Sequence, residues 1–194
     1  RRIYLNAVAR KPHLKISAAL IAFGGTGAAE SSWNSAEAYW RVYQDWRAWT
    51  EEGIVDLAIP MNYKREHIAA QQTQFNQWLD WMQRHQYGRA GLMGLGVFLN
   101  SIEGSLRQVR RALDEPADGS NRTAGVVFFS MANPDEAITA NPLSFPAGQN
   151  TPKRGIAEFA SGLVTGKSVN NATLYEDPIT NLVPVFSSSA PVPL

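Results

Sequence analysis

A chain of 194 residues is long enough for one domain with a real core, burying roughly 70% of its unfolded surface, and short for two. Its 44% hydrophobic and 18% charged residues exclude a disordered chain. A net charge of +1 with no block of like charge offers no surface for tracking phosphates, so no nucleic-acid partner is expected.

The absence of cysteine removes disulfides, thiolate nucleophiles and cysteine zinc sites together. The longest apolar run, around residues 91–99, falls far short of the roughly 20 residues of a membrane helix, so no transmembrane segment is expected. No signal-peptide pattern stands at the N-terminus.

In chain order, residues 1–9 read as the tail of an amphipathic helix carrying Ile3, Leu5 and Val8, as if the chain began within an element. Residues 15–23 form an apolar run that ends at Gly24-Gly25-Thr26-Gly27. Further runs follow at 54–61, 91–99 and 124–130. Short runs apolar on both faces fit buried parallel strands. Pro60 lacks a ladder donor, so the second strand is expected to stop near it.

Helical spacing fills the intervals. Tyr39, Val42, Tyr43, Trp46 and Trp49 predict a helix over 33–52 with Gly53 as its stop. Ile68, Phe75, Trp78, Leu79 and Met82 predict one over 66–87, and Ile102, Leu106, Val109 and Leu113 one over 101–113 with Asn100 or Ser101 as cap. A weaker pattern covers 153–166. The strand starts fall roughly 35–40 residues apart, about one strand-plus-helix unit each. The expected class is α/β: four consecutive βα units over 1–166, then an irregular Pro/Ser-rich extension over 167–194.

A doubly wound nucleotide-binding sheet needs a glycine-rich turn that leads directly into a helix. Gly24-Gly25-Thr26-Gly27 lacks the phosphate-loop Lys-Ser/Thr, does not fit Gly-x-Gly-x-x-Gly and is separated from its helix by residues 28–32, so it reads as a surface loop. The alternative is part of a (β/α)8 barrel, whose site lies at the C-terminal ends of its strands. Polar residues there become candidates: Asn62 and Tyr63, Asn100 and Ser101, Ser130 and Asn133.

The segment Asp56-Leu-Ala-Ile-Pro-Met-Asn-Tyr63, preceded by Trp49-x-x-x-Gly53, resembles the bacterial glycosyl-hydrolase-like family 10. Residues 125–130 look like that family's last barrel strand, 15–24 like its fifth, and 1–14 like the end of the preceding helix. The resemblance implies the last four strands of a (β/α)8 TIM-type barrel, with the missing N-terminal half as a partner. It further implies a glycan substrate in the bacterial cell envelope or an exported setting, peptidoglycan glycan strands among the possibilities. The family's Asp-Asp-Tyr motif has no counterpart here, so the principal acid belongs to the upstream half and this chain alone is expected to be inactive.

Glycoside hydrolysis usually needs two carboxyl groups flanking the bond. Glu30, Glu66, Glu103, Asp135 and Glu136 fall on strand-end loops, where a helix-entry role explains them as well as catalysis does. No catalytic residue is assigned among them. Asp56, at the start of its strand, belongs to the barrel's stability face. Asn62 and Tyr63 are the first candidates for lining a sugar site, since an amide donates and accepts and a phenol adds an aromatic face; Asn100 and Ser130 follow. Of the six Trp, only Trp33 lies near a loop and is a candidate to meet ligand. His13, His67 and His85 are far apart in the chain, so no metal site and no cofactor is expected. Two rival readings remain, a non-catalytic carbohydrate-binding or scaffolding module and a nucleotide-binding α/β domain.

Overall fold

The computed structural model describes residues 1–130, 132–136, 154–167 and 169. Four strands, β1 (Ser17–Ile21), β2 (Leu57–Met61), β3 (Ala90–Gly96) and β4 (Gly125–Phe129), form one all-parallel sheet in the order β1-β2-β3-β4. Helix α1 (Arg2–Arg10) precedes β1. Two short helices, α2 (Glu37–Trp40) and α3 (Trp46–Glu51), link β1 to β2. Then α4 (Ala69–Arg84), α5 (Ile102–Leu113) and α6 (Ile156–Thr165) follow β2, β3 and β4. The expected α/β class with four βα units therefore holds. The extension expected over 167–194 lies outside the described residues apart from 167 and 169.

A strand order that advances one neighbour at a time, with right-handed crossovers, puts successive helices on the same side of the sheet. The burial pattern fits. Leu20, Ala58, Met93 and Leu95 from the strands share one core cluster with Trp46, Phe75, Trp78, Trp81, Ile102, Leu106, Val109 and Phe159 from the helix side. The intervening strand residues point the other way. Ser17 and Ala19 are exposed, Leu57, Ile59 and Met61 are half-buried, and Val127 and Phe129 are exposed. Helix α1 stands apart, with no buried residue and Ile3 and Leu5 in solvent.

The layer over β1 and β2 is aromatic. Trp33 meets Trp46 edge-on at 4.7 Å and Trp81 at 5.1 Å, and Trp46 meets Trp78 at 5.8 Å. Indole N–H groups tie it to the chain: Trp46 donates to the Ile21 carbonyl at 3.0 Å and Trp78 to that of Gly24 at 3.1 Å. The helix expected over 33–52 is broken to make these bonds. Residues Glu30–Ser35 form a 3-10 turn, and Tyr43 takes a positive φ of 55° between α2 and α3. That break brings the Gln44 carboxamide to the Ile21 N–H at 2.8 Å. It also brings Asp45 to the Trp33 indole at 2.7 Å and to the N-terminus of α3. Gln44 and Trp46 thereby cover part of the outer edge of β1.

As expected, β2 stops near Pro60, ending one residue later at Met61, and the proline also interrupts the ladder. Pairing with β3 holds at Leu57, Ala58 and Met61 and is missing at residues 59 and 60, where the proline has no N–H to give. Gly24-Gly25-Thr26-Gly27 is a loop, as expected, with Thr26 buried, Gly27 exposed and Gly25 close to α4. A Cβ on Gly25 would lie 2.0 Å from the Gln77 side-chain oxygen on α4.

Gly94 shows how tightly the sheet is drawn, because a Cβ there would sit 2.6 Å from the Pro60 carbonyl oxygen, a backbone atom with little room to yield. Replacing Gly94 with Ala should cost about 1–3 kcal/mol. Urea unfolding followed by far-UV circular dichroism reads this directly, and an unchanged midpoint would contradict the packing described.

Candidate functional site

In a parallel sheet, residues in register share a face, so the open side can be followed strand by strand. Met61 pairs with Gly94 and Gly94 with Val127; one step further, Gly96 pairs with Phe129. Tyr63 continues the alternation two residues beyond Met61, and Phe98 lies two beyond Gly96. At this C-terminal end the rings meet. Tyr63 stacks on Phe129 with centroids 5.7 Å apart and planes 8° from parallel. Phe98 stands edge-on to both, at 6.2 and 5.9 Å.

Gly96 makes the stack possible. It lies between β2 and β4, and a Cβ there would be 2.9 Å from the Cβ of Tyr63. The missing side chain lets Tyr63 and Phe129 lean together across β3. Phe129 remains 55% exposed, and Phe23, two residues past β1, is 45% exposed. The result is an apolar ledge at the strand ends, where parallel α/β proteins bind ligands. Partial burial raises the Tyr63 phenol above its ordinary pKa, so the hydroxyl stays protonated and able to donate.

The four candidate residues separate. Tyr63 forms the ledge, and Ser130, half-buried, follows Phe129 across a cis peptide bond, its carbonyl accepting from the Asn133 N–H at 3.0 Å. Asn62 and Asn100 are fully enclosed. The Asn62 amide donates to the Phe75 carbonyl of α4 at 3.0 Å, and its oxygen has no hydrogen-bond partner among the described residues. Asn100 donates to the carbonyls of Lys64 at 2.9 Å and Gly96 at 3.4 Å, and accepts from the Glu66 N–H at 2.6 Å. Capping of α5 falls instead to Ser101, whose hydroxyl accepts from the Gly104 N–H at 3.2 Å. As placed, the two asparagines hold the frame behind the ledge.

The acids of the strand-end loops are paired with arginines. Glu66, buried, binds Arg111 of α5 and accepts from Gln72 at 2.9 Å, so it joins helices rather than opening one. Glu103 occupies the first turn of α5 and grips Arg154 with both oxygens, at 2.6 and 2.7 Å. Asp135, buried, accepts from the Ile102 N–H at 3.1 Å and from Arg154 at 3.0 Å. Glu136 pairs with Arg65, and Glu30 with Arg47 and the Tyr87 hydroxyl. At the opposite end of the sheet, Asp56 accepts from Ile16 N–H at 2.9 Å and Arg89 at 3.0 Å, the stability role expected of it.

Lys64 is buried, donates to the Ala22 carbonyl at 2.8 Å, and burial brings its pKa down to about 8 despite the opposing pull of Glu37. Trp33 is enclosed in the aromatic layer at 3% exposure, so the structure gives it no ligand-facing surface. Among the described residues no three His, Asp or Glu side chains gather to hold a metal ion, and no helix is long and apolar enough to cross a membrane.

Reading the sequence alone missed Phe23, Phe98 and Phe129. The signal for Phe23 is the alternation of β1 continued two residues past Ile21; Phe129 ends β4 and Phe98 lies on the turn after β3, where a run apolar on both faces conceals which side each takes. The class defined by this fold is an α/β protein with a four-stranded parallel sheet. Comparison with family models, curated proteins and solved structures gives no match.

The Arg154 network predicts acid sensitivity. Burial acts to raise the Glu103 carboxyl, but the bond to Arg154, with backbone and Ser101 bonds, outweighs it and holds the pKa below the ordinary 4.5. A depressed folded pKa stabilises the fold above the unfolded value and is lost as pH falls through the folded one. Stability should therefore decline on acidification below about pH 4.5. Arg154→Met should flatten that decline, as urea titrations at pH 7 and pH 3.5 can check.

Proposed function

We propose that this chain forms half of a (β/α)8 glycosidase-like barrel and that its aromatic ledge binds glycan. The ledge is the observation that carries the reading. Sugar rings present apolar C–H faces edged with hydroxyls, and a rigid aromatic platform at the strand ends suits them. Tyr63 supplies a ring face and a hydroxyl together. The half-barrel reading is supported by the sequential strand order, by helices packed on one face only, and by the apolar rows left on the other. A second set of four βα units would cover those rows and pair with the outer edges of β1 and β4. The resemblance of 56–63 to the glycosyl-hydrolase-like family suggests a bacterial envelope glycan as ligand.

Binding is favoured over hydrolysis by this chain alone. A glycosidase needs one carboxyl group ready to donate a proton and another as base or nucleophile. Arg154 on Glu103 and Arg47 on Glu30 hold those two carboxyls below their ordinary pKa, which disfavours the acid role for them. In this reading the proton donor comes from the completing half.

The test is calorimetric titration of the full protein with oligomers of β-1,4-linked N-acetylglucosamine, alongside Tyr63→Ala and Phe129→Ala. Each variant should bind at least tenfold more weakly, a loss of about 1.4 kcal/mol. Equal affinity in all three proteins would sink the ledge as a sugar platform.

A further inference from the structure

Phe23 is an exposed ring on a segment tied down on both sides. The residue before it, Ala22, belongs to the core cluster, and its carbonyl accepts from the buried Lys64 ammonium at 2.8 Å. The residue after it, Gly24, takes a φ of 58°, and its carbonyl accepts from the indole N–H of buried Trp78 at 3.1 Å. Phe23 itself is 45% exposed. A large apolar ring facing water on a backbone held this way is ready for contact before a ligand arrives, which lowers the ordering cost of binding.

The register sets Phe23 level with Tyr63. Ile21 pairs with Met61, and the two aromatic residues each stand two positions further along. Burial alternates alike on both segments: Ala22, Asn62 and Lys64 are buried, whereas Phe23 is exposed and Tyr63 half-buried. The Lys64–Ala22 bond runs from the residue after Tyr63 to the residue before Phe23, so it joins the two segments at the rings. Lys64 is itself anchored, since its backbone carbonyl accepts from Asn100 at 2.9 Å and from Gln108 at 3.0 Å.

We propose that Phe23 is a further glycan-contacting ring of the ledge and that Lys64 is its positioning residue, so that an oligosaccharide lies across the strand ends from β4 to β1. The assignment rests on the ledge reading and deepens it. The span is three strand spacings, about 14 Å, which suits an oligosaccharide rather than a single sugar.

The charge on Lys64 gives the clamp a signature. Burial brings its pKa down to about 8, against the pull of Glu37 of α2, which is paired with Arg41. On its own loop Arg65 is paired with Glu136 and Glu66 with Arg111, while α4 and α5 bring the uncharged Trp78 and Gln108 to this point. At neutral pH the amine is mostly protonated and its bond to Ala22 is charge-assisted, hence stronger than that of the neutral amine. The folded pKa lies below the ordinary 10.5, so this group adds stability as pH rises between the two values. A loss of affinity over that range therefore reports the weakened clamp, not unfolding. The Tyr63 phenol, raised above its ordinary value, stays protonated there.

The test titrates the full protein calorimetrically with a tetramer of β-1,4-linked N-acetylglucosamine. It compares the parent with Tyr63→Ala, Phe23→Ala, Lys64→Met and the double variant carrying both Phe23→Ala and Lys64→Met, each verified as folded by circular dichroism. Phe23→Ala and Lys64→Met should each weaken binding about fivefold or more. The double variant should bind no more weakly than Phe23→Ala, because the clamp then has no ring to place. Parent affinity should also fall about twofold or more between roughly pH 7 and pH 9.5 and stay level in Lys64→Met. Should Lys64→Met fail to fold, the parent profile decides, and a level one overturns the role of Lys64. Parent affinity in Lys64→Met, or losses that multiply in the double variant, also overturn that role. Parent affinity in Phe23→Ala, with binding lost in Tyr63→Ala, overturns the whole inference and leaves the ledge standing. Parent affinity in Tyr63→Ala, or no binding by the parent itself, overturns the ledge reading and this inference together.

Discussion

The Asn100 carboxamide takes a hydrogen bond from the Glu66 N–H and gives two, to the Lys64 and Gly96 carbonyls, while its own backbone carbonyl receives the Glu136 N–H. One buried residue just past β3 therefore holds three loops, its side chain those that follow β2 and β3 and its backbone carbonyl the one that follows β4. Each bond contributes about 1 kcal/mol net, but a buried backbone group left unpaired costs about 1–3 kcal/mol. These loops carry Arg65, Glu66, Asp135 and Glu136, so the ion pairs beside the ledge are anchored at the same residue. Gln108 of α5 adds a second donor to the Lys64 carbonyl at 3.0 Å, which fixes the helix layer to the same point.

That frame explains why the two faces of the sheet diverge in chemistry. On the helix side, indole N–H groups and side-chain amides reach backbone carbonyls at strand ends, so even the polar atoms there serve packing. On the open side, glycine at 94 and 96 removes side-chain bulk from β3, the strand between β2 and β4. Neighbouring side chains can then lean inward, and they do: Tyr63 and Phe129, on strands that do not touch, come into parallel contact across Gly96. A side chain at either glycine would meet β2, the Pro60 carbonyl at 94 and the Tyr63 ring at 96. The glycines fit the close approach of neighbouring atoms rather than a turn.

How much of this was legible depends on the range of the interaction. Strands and long helices came through, because apolar runs and 3.6-residue spacing are local signals. The break at Tyr43 did not. It exists because Gln44, Asp45 and Trp46 reach partners at positions 21 and 33, and such long-range bonds override a good local helical pattern. Pro60 was read as the approximate end of its strand, and β2 stops one residue later, with the pairing to β3 missing at 59 and 60. Asn62 and Tyr63, adjacent in sequence, point to opposite faces of the sheet, so a motif treated as one unit divides into a frame residue and a ring of the ledge. Phe98 and Phe129 were hidden because an apolar residue at a strand end looks the same whether it enters a core or lines a surface.

The arginines sharpen the distinction between shape and reactivity at this end of the sheet. A carboxyl group becomes a useful proton donor near neutral pH when burial raises its pKa without a cation beside it. Here the opposite arrangement recurs, with Arg111 on Glu66, Arg154 on Glu103 and Asp135, and Arg65 on Glu136. For Glu103 the bond to Arg154 holds the pKa below its ordinary value, and the three arginines come from separate parts of the chain: the loop after β2, helix α5 and the approach to α6. They cross-link the loops as they neutralise them. This end of the sheet carries its charges in compensated pairs and presents aromatic carbon to solvent, an arrangement that suits the proposed binding of a ring face better than proton transfer. Proton transfer at the same place would require a carboxyl group free of such a partner, and among the strand-end acids described each has an arginine beside it.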